Sequence, residues 1–351
     1  GSPAEQIGLS MSEPLTERAG YRDYPELQAD VAGKVITESE KSLRKGVAPA
    51  VGAITYAGFG DRYFFSAYLP ESPPDGALSM SFGADEAIVR LLFSGTPKIK
   101  ARVYFGPKLL DTLDAANPEL HKAIDFGWTA MLALIFLRML KLFHLVAPNY
   151  GVDIIIVTIL VRLASLPVSI KGQRSAMKLA RLTPQIDRLR EKYKDNQEQM
   201  QKEMIDLYKR NHVNPVGGCL PMVIQLPIFF GLYEALLNSV ELRHAPFVGW
   251  INDLSAPECL PISWIPKLPM MPCQGLPLLV ILMGATSFLQ QWMMPKQPDP
   301  TQQRMAMIMP LMYVVFFLNF PAGLSLYYFS SNILGIVQQF FLNREFKTVS
   351  A

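Results

Sequence analysis

The chain has 351 residues, half of them hydrophobic, and its 33 lysines and arginines against 30 aspartates and glutamates leave a formal net charge of +3. So small an imbalance gives no indication of a nucleic-acid or acidic partner. Three cysteines are too few for a disulfide scaffold, and none forms a CxxC pair typical of a metal site. The hydrophobic residues concentrate after residue 125, so the chain divides into two parts of different character.

The first part, residues 1–125, has the pattern of a β-rich domain. Residues 1–30 are polar, and we predict that they are partly disordered. From residue 31 onward, short alternating runs such as KIKARVYF are separated by breaks such as PESPPDG and SGTP. Alternation at every second residue predicts half-buried strands. We therefore expect a partial β-sandwich over 31–125 that includes a polar helix near 108–123.

The stretch FGWTAMLALIFLRMLKLFHLV is long enough to cross a bilayer but carries Arg138, Lys141 and His144. At 100° per residue these three side chains share one face of a helix. This pattern favours an amphipathic helix lying in the membrane interface over 126–147. A transmembrane span is the alternative, and it would invert every later assignment of sides.

Five segments in 148–345 are apolar enough to be membrane spans, each of which takes about 20 helical residues. They cover 152–170, 216–240, 276–294, 305–320 and 322–342. The sequence therefore predicts a membrane α-helical bundle of five transmembrane helices.

The charges between these spans predict the topology. The connection 171–215 holds eleven Lys/Arg against six Asp/Glu, and 241–275 holds two against three. The positive-inside rule places the first in the cytoplasm and the second on the exported side. Residues 1–125 then lie outside and the tail 346–351 in the cytoplasm. Because no apolar anchor precedes the exported part, we expect the natural protein to begin upstream with a signal anchor.

The cytoplasmic connection 171–215 carries two apolar stripes at helical spacing on either side of Asp195-Asn196. The stripes consist of Leu182, Ile186, Leu189 and Tyr193, and of Met200, Met204, Leu207 and Tyr208. This pattern predicts an antiparallel helical hairpin with charged outer faces. It is either a solvated connector or an arm that meets anionic lipid, a ribosome or a targeting receptor.

Arg162 lies in the middle of the first span, VDIIIVTILVRLASLPVSI. Insertion scales assign a cost of about 2.5–3.5 kcal/mol to an arginine at the bilayer centre, so it is expected to face a bundle interior or a watery cavity. Polar residues recur at similar or more cytoplasmic depth in the other spans. They include Thr158, Ser165, Gln225, Gln290, Gln291, Ser330, Ser331, Asn332, Gln338 and Gln339.

Bare polar groups in lipid cost several kcal/mol each, so these residues should converge on one another or on water. The simplest arrangement is a hydrated groove, open to the cytoplasm and closed toward the outside. For any single Gln or Ser an interhelical hydrogen bond is an equal alternative.

Two further features of the exported side leave alternatives open. Glu234, near the outer end of its span, is either a counter-ion to Arg162 or a residue that reaches the outer interface. Cys259 and Cys273 both fall in the exported connection, where they form either a disulfide or two free thiols.

Several stretches resemble the YidC family of membrane protein insertases, Gram-negative type. They are NPVGGCLPMVIQLPIFFGLYEALLNSVELRHAPFVGWINDLSAPE, VRLASLPVS, FPAGLSLYYFSSN and LTPQIDRLREKY. The resemblance covers about 125–345, and the preceding strands look like the end of the family's periplasmic domain. It implies five core helices around a cytoplasm-facing hydrophilic groove whose one arginine is Arg162, in the bacterial inner membrane.

The resemblance also implies which residues serve the groove. Its polar positions match Thr158, Gln225 and Tyr328, to which the span polarity adds Ser331 and Asn332. A hydrophobic substrate wall is implied at Ile228, Phe229, Leu232, Met309, Val314 and Phe317. Glu234 departs from the family pattern, so its pairing with Arg162 stays a hypothesis.

The expected function is a membrane protein insertase and chaperone that inserts, folds and assembles nascent membrane proteins. By resemblance it works alone or with the Sec translocon, a ribosome and a targeting receptor, without a cofactor or metal. The sequence lacks HExxH, GxSxG and GxxxxGK[ST], which disfavours an enzyme. The alternative is a transporter or channel with a polar cavity.

Overall fold

Eight antiparallel strands form the first part of the chain in the computed structural model, which describes residues 6–14, 26–38, 42, 50–71, 75–82, 86–94, 100–124, 127–214, 217, 220–262, 274–295 and 299–348. The strands are β1 (Gln6–Pro14), β2 (Glu26–Val31), β3 (Lys34–Glu38), β4 (Ala50–Gly60), β5 (Phe64–Pro70), β6 (Asp75–Phe82), β7 (Glu86–Ser94) and β8 (Ala101–Pro107).

The long strand β4 joins the two halves of this sheet. Its first residues, 50–53, pair with β6, and its last residues pair with β2 on one side and β5 on the other. The order is β1-β7-β6-β4-β2-β3, with β8 added beyond β5. The predicted β-rich domain is therefore an antiparallel sheet that changes partners halfway along β4.

The sheet begins earlier than the sequence pattern suggested. Of residues 1–30, which were expected to be partly disordered, 6–14 pair with β7 as β1 and 26–30 belong to β2, whereas the others lie outside the described residues. In QIGLSMSEP the apolar residues Ile7, Leu9 and Met11 alternate with small and polar ones, the pattern of a strand with one polar face. The overall polarity of the segment concealed this alternation.

Lys122 links the segment after the sheet to strand β2. Helix α1 (Leu110–Ala116) and a 3-10 turn (Leu120–Ala123) follow β8. From this turn the Lys122 Nζ donates a hydrogen bond at 3.3 Å to Oδ2 of Asp30, a buried residue of β2. Tyr56, which pairs with Asp30 across the strands, is fully buried and packs edge-on against Phe65.

The remaining α-helices, apart from the last two residues of α6, belong to a second compact unit formed by residues 128–236 and 241–351, whereas residues 1–127 and 237–240 form the first. They are α2 (Ala130–His144), α3 (Tyr150–Arg181), α4 (Thr183–Lys192), α5 (Gln197–Arg210), α6 (Leu220–Asn238), α7 (Leu278–Met293), α8 (Pro300–Phe317) and α9 (Ala322–Thr348). Each predicted span thus overlaps one helix: α3, α6, α7, α8 or α9.

Two helical stretches among the described residues, Gly127–His144 and Tyr150–Arg181, are long and apolar enough to cross a membrane. Val223–Asn238 and Leu278–Met293 are shorter apolar helices. The number of spans, and the choice between an interfacial and a spanning α2, stay predictions.

Helix α3 extends well beyond the predicted span 152–170. It continues without interruption to Arg181 because KGQRSAMKLAR contains good helix formers and a single glycine as its only breaker. The hairpin proper is therefore shorter and consists of α4 and α5. Asn196 caps α5 by accepting a hydrogen bond from the Gln199 amide at 3.0 Å. Buried Leu182, Ile186 and Val213 form the small core of the hairpin.

Candidate functional site

Helices α3 and α9 line a half-open cavity of about 410 Å³ with largely apolar walls. The walls repeat at helical spacing along both helices: Ile159, Leu163, Leu166 and Ile170 on α3, and Leu334, Val337, Phe341 and Leu342 on α9. Arg162 lies toward one end, and Arg174 with Glu345 toward the other. At about 1.5 Å per residue the two arginines are separated by about 18 Å along α3.

The half-buried Arg162 reaches across to α9 and docks on Ser331. Its Nε donates to Ser331 Oγ at 2.8 Å, and its Nη2 donates to the Ser331 carbonyl oxygen, also at 2.8 Å. Both acceptors are neutral, so these hydrogen bonds leave the positive charge uncompensated. A guanidinium has five N–H donors, of which these two bonds use only two. The site can therefore still attract a negatively charged or polar group.

The predicted counter-ion Glu234 is not the partner that Arg162 has in this structure. Both Ile154, early in α3, and Leu236, late in α6, approach Gly323, so these helix ends lie at one level. From that level Arg162 lies about 12 Å along α3 and Glu234 about 3 Å along α6, at 1.5 Å per residue. This difference in depth explains why the guanidinium meets Ser331 instead.

Three other predicted groove residues, Thr158, Gln225 and Asn332, form hydrogen bonds with partners other than Arg162. Fully buried Thr158 donates to the Ile154 carbonyl of its own helix at 2.6 Å. Gln225 Nε2 donates to the Tyr327 hydroxyl at 2.9 Å. Asn332 Nδ2 donates to Ser287 Oγ at 2.7 Å and so links α9 to α7. In this structure these residues make intrahelical or interhelical hydrogen bonds.

Two residues of the predicted hydrophobic wall, Phe229 and Phe317, contact the ring of Tyr328. The ring centroid of Tyr328 is 5.6 Å from that of Phe229 on α6 and 4.9 Å from that of Phe317 on α8. Of the other wall residues, Leu232 is buried and Met309 is exposed. Ile228 and Val314 are half-buried, and Val314 packs against Gly284 of α7. The wall is thus an aromatic junction of three helices, and its residues on α8 become more exposed from Phe317 back toward Met309.

The end of the cavity far from Arg162 carries a second polar layer. Gln338 Nε2 donates to Ser169 Oγ and to Gln173 Oε1, at 2.9 Å each. Arg174 forms an ion pair with Glu345 at 2.8 Å, and both side chains are about half exposed. An exposed pair of this kind contributes only about 0–1 kcal/mol. The contacts at this end are therefore easily rearranged.

Sequence reasoning missed Glu258, a buried carboxylate at the opposite end of the helices. Its Oε1 accepts a hydrogen bond from the Leu279 amide at 2.5 Å, and its Oε2 accepts one from Trp250 Nε1 at 2.7 Å. Burial raises the pKa of Glu258, and these hydrogen bonds oppose the increase. The carboxylate thus caps α7 although it lies 21 residues before Leu279 in the chain, a pairing that no local sequence signal indicates.

The same connection also caps α9. The amides of Ala322 and Gly323, at the start of α9, donate to the carbonyl oxygens of Ala256 and Leu254 at 2.8 and 2.9 Å. Residues 254–258 therefore satisfy the first amides of two helices that would otherwise lack acceptors. Cys259, the next residue, is disulfide-bonded. Cys273 lies outside the described residues, so their pairing stays a prediction.

Asp153 is a second charged residue that the sequence reasoning overlooked. It lies in the first turn of α3, is fully buried, and its Oδ2 is 2.9 Å from His144 Nδ1 at the end of α2. The His144 ring stacks on Tyr150, with 3.8 Å between centroids. An acidic residue just inside an apolar segment, preceded by a histidine, was the available signal.

Two family models match the chain. Residues 141–349 match the family described as 60Kd inner membrane protein, and residues 15–139 match the YidC periplasmic domain.

Among curated relatives, "Membrane protein insertase YidC" of Geobacter sulfurreducens is 39% identical over 326 residues, which are 91% of this chain and 58% of the relative. The protein of the same name from Syntrophobacter fumaroxidans is 37% identical over 367 residues, covering 97% of this chain and 65% of the relative. The chain thus spans about three fifths of the length of these relatives. A solved structure described as an active YidC insertase with its first transmembrane domain resolved has 19% identity and a TM-score of 0.48, over 89% of this chain and 82% of that one.

Proposed function

Because the chain belongs to the 60Kd inner membrane protein family, we propose that it is the core of a membrane protein insertase, the activity for which its relatives are named. Its substrates are then nascent membrane proteins, and its helical part lies in the lipid bilayer. The observation that carries the proposal is the position of Arg162, a charged side chain with neutral hydrogen-bond partners at an apolar cavity.

The physical task is to move a hydrophilic segment through a medium that penalises polar groups. Arg162 attracts an acidic or polar group of the incoming chain and forms charge-assisted hydrogen bonds with it. Since its present partners are a hydroxyl and a carbonyl, the capture does not require a buried ion pair to be broken first. The hydrogen bonds to Ser331 continue to hold the guanidinium when the captured segment leaves.

The apolar part of the incoming chain needs an apolar protein surface on which it can pack before it enters the lipid. The cavity walls supply one such surface, and the exposed part of the predicted wall on α8, such as Met309, supplies another. A nascent helix that packs there exchanges one apolar environment for another as it enters lipid, so release costs little. The chemistry is binding and transfer, with no covalent step, in keeping with a family that points to a non-enzyme.

In this proposal the protein crosses the inner membrane five times, with its sheet domain in the periplasm and its C-terminus in the cytoplasm. The polar end of the cavity, with Arg174 and Glu345, then opens toward the cytoplasm, and the connection with Glu258 closes the outer side. The hairpin α4–α5 lies where a ribosome or targeting receptor delivers the client, either directly or beside the Sec translocon.

The test is insertion of a small client into liposomes that contain the full-length protein. Wild type is compared with Arg162→Ala and Arg162→Lys, with Leu160→Ala as a control that changes an exposed α3 residue outside the cavity. We expect Lys to retain most of the activity and Ala to lose about tenfold, the effect of losing a charged hydrogen-bond donor. Equal insertion by all variants, or anion flux without insertion, would contradict the proposal.

A further inference from the structure

Gly335, one turn after Ser331 on α9, is where side chains from two other helices meet. A Cβ atom built on Gly335 would lie 2.5 Å from Gln290 Nε2 of α7 and 3.1 Å from Arg162 Nη2 of α3. The first distance is shorter than real Cβ contacts, and the second is tighter than most of them. The missing side chain is therefore a condition for the observed positions of both polar groups.

The geometry of an α-helix explains why this position matters to Arg162. Each Cα–Cβ bond tilts toward the helix N-terminus, so a side chain covers the turn that precedes it. A side chain at Gly335 would cover the carbonyl of Ser331, four residues earlier. That carbonyl accepts the Arg162 Nη2 hydrogen bond at 2.8 Å. Glycine leaves the second lone pair of this oxygen accessible from outside the helix.

A glycine at this position lowers the stability of the helix, so some other contribution must offset that loss. In a helix interior glycine is about 1 kcal/mol less favourable than alanine. Here it lies within the 27-residue helix α9, far from either end. Ser331 and Gly335 together form a shallow seat on α9: the Ser331 hydroxyl receives Nε, its carbonyl receives Nη2, and Gly335 leaves room for the guanidinium.

We propose that Gly335 is a positioning residue that sets where the charge of Arg162 is held and which of its donors remain for an incoming chain. The inference rests on the proposed insertase function and deepens it, because it makes the capture of acidic segments depend on a residue that carries no polar side chain. With Gly335 in place the guanidinium is docked through one edge and presents its other donors to the cavity. A side chain at 335 forces the guanidinium to shift by a few tenths of an ångström, which weakens its hydrogen bonds to Ser331 and loosens that orientation.

The competing explanation is that Gly335 only lets α7 approach α9. The two explanations differ in what they predict for the client. A positioning role predicts an effect confined to clients with acidic translocated segments and to proteins that contain Arg162. A packing role predicts the same loss for every client, whether or not the arginine is present.

The experiment compares insertion by full-length wild type, Gly335→Ala, Arg162→Ala and the double variant. Ile333→Ala, an exposed position on the same helix, is the matched control. One client carries an acidic translocated segment, and a second has its Asp and Glu residues in that segment changed to Asn and Gln. For Gly335→Ala we expect about fivefold to tenfold less insertion of the acidic client, as for a lost hydrogen bond to a charged group. The neutral client and the Arg162→Ala background should show no further loss.

Equal loss for both clients, or a loss that adds to that of Arg162→Ala, overturns the proposal in favour of packing. If Gly335→Ala fails to fold, Gly335→Ala combined with Gln290→Ala removes the closer of the two overlaps and takes its place. Hydrogen exchange of the Arg162 Nε–H, followed by NMR, reports the docking without any client. Faster exchange in Gly335→Ala supports the inference and unchanged exchange refutes it, whereas failure of wild type to insert either client would refute the proposed function alone.

Discussion

The buried carboxylate of Glu258 leads to a quantitative prediction about the end of the helical unit where α7 and α9 begin. Glu258→Ala leaves three donors without their acceptor: the amides of Leu279 and Val280, at 2.5 and 3.3 Å, and the indole Nε1 of Trp250, at 2.7 Å. Pro277, the residue that precedes α7, provides no side-chain cap to replace the carboxylate. The variant therefore removes both the cap of α7 and the hydrogen bond to Trp250 in the preceding connection.

The magnitude follows from these contacts. Loss of a helix cap costs about 1 kcal/mol, and a buried donor left without a partner costs about 1–3 kcal/mol. Part of this is offset because burial disfavours the charged carboxylate, as its raised pKa indicates. We expect Glu258→Ala to lower the free energy of unfolding by about 2–4 kcal/mol. Glu258→Gln keeps the volume and one acceptor oxygen, so its expected loss is about 1–2 kcal/mol.

The measurement is equilibrium unfolding of the full chain in mixed micelles, with increasing SDS and tryptophan fluorescence as the signal. The control is Glu345→Ala, which removes a half-exposed carboxylate paired with Arg174 and should cost less than about 1 kcal/mol. A Glu258→Ala variant within about 0.5 kcal/mol of wild type, the range of ordinary surface substitutions, would refute the reasoning. It would mean that water replaces the carboxylate without penalty.

The same titration at several pH values tests the Glu258 pKa. Burial raises this pKa above its ordinary value of 4.5. The protonated side chain therefore contributes its full stability below pH 4.5, and this contribution declines as pH rises through the folded pKa. The free energy of unfolding of Glu258→Gln should not show this decline with pH. Asn332→Ala removes the hydrogen bond to Ser287 of α7 and should lower the free energy of SDS unfolding by about 1 kcal/mol. An unchanged free energy would show that this hydrogen bond does not stabilise the protein. Lys122→Met leaves buried Asp30 without its cation and should destabilise the sheet by about 1–2 kcal/mol, followed by circular dichroism, and adding Asp30→Asn should recover most of this loss.

Local patterns predicted the order and type of the elements well. The change of composition near residue 125 marks the transition from strands to helices, and the resemblance to the YidC family is confirmed by the two family models. Errors occurred where a local pattern was weak or misleading. Polar composition concealed the alternation of β1, and the apolar span predicted to end at residue 170 is only part of a helix that continues to Arg181.

The site was harder to predict because its partners are distant in the chain. Polarity at span depth singled out Arg162 and Ser331, but it also singled out Thr158, Gln225 and Asn332, which bond elsewhere. The pattern could not distinguish these cases, since each residue is a polar group on an apolar helix. Gly335 gave no signal of its own, because its role is the space that it leaves for side chains from two other helices.

The sequence by itself therefore determined the division into a sheet and a helical part, the positions of the helices and the presence of one arginine deep in an apolar segment. These are local properties, set by hydrophobic periodicity and helix propensity within some 20 residues. Only the tertiary structure decided that Arg162 docks on Ser331, 169 residues away, over Gly335 and not beside Glu234. Such contacts depend on the depth and rotation at which whole helices pack, which the residues of a single helix do not encode.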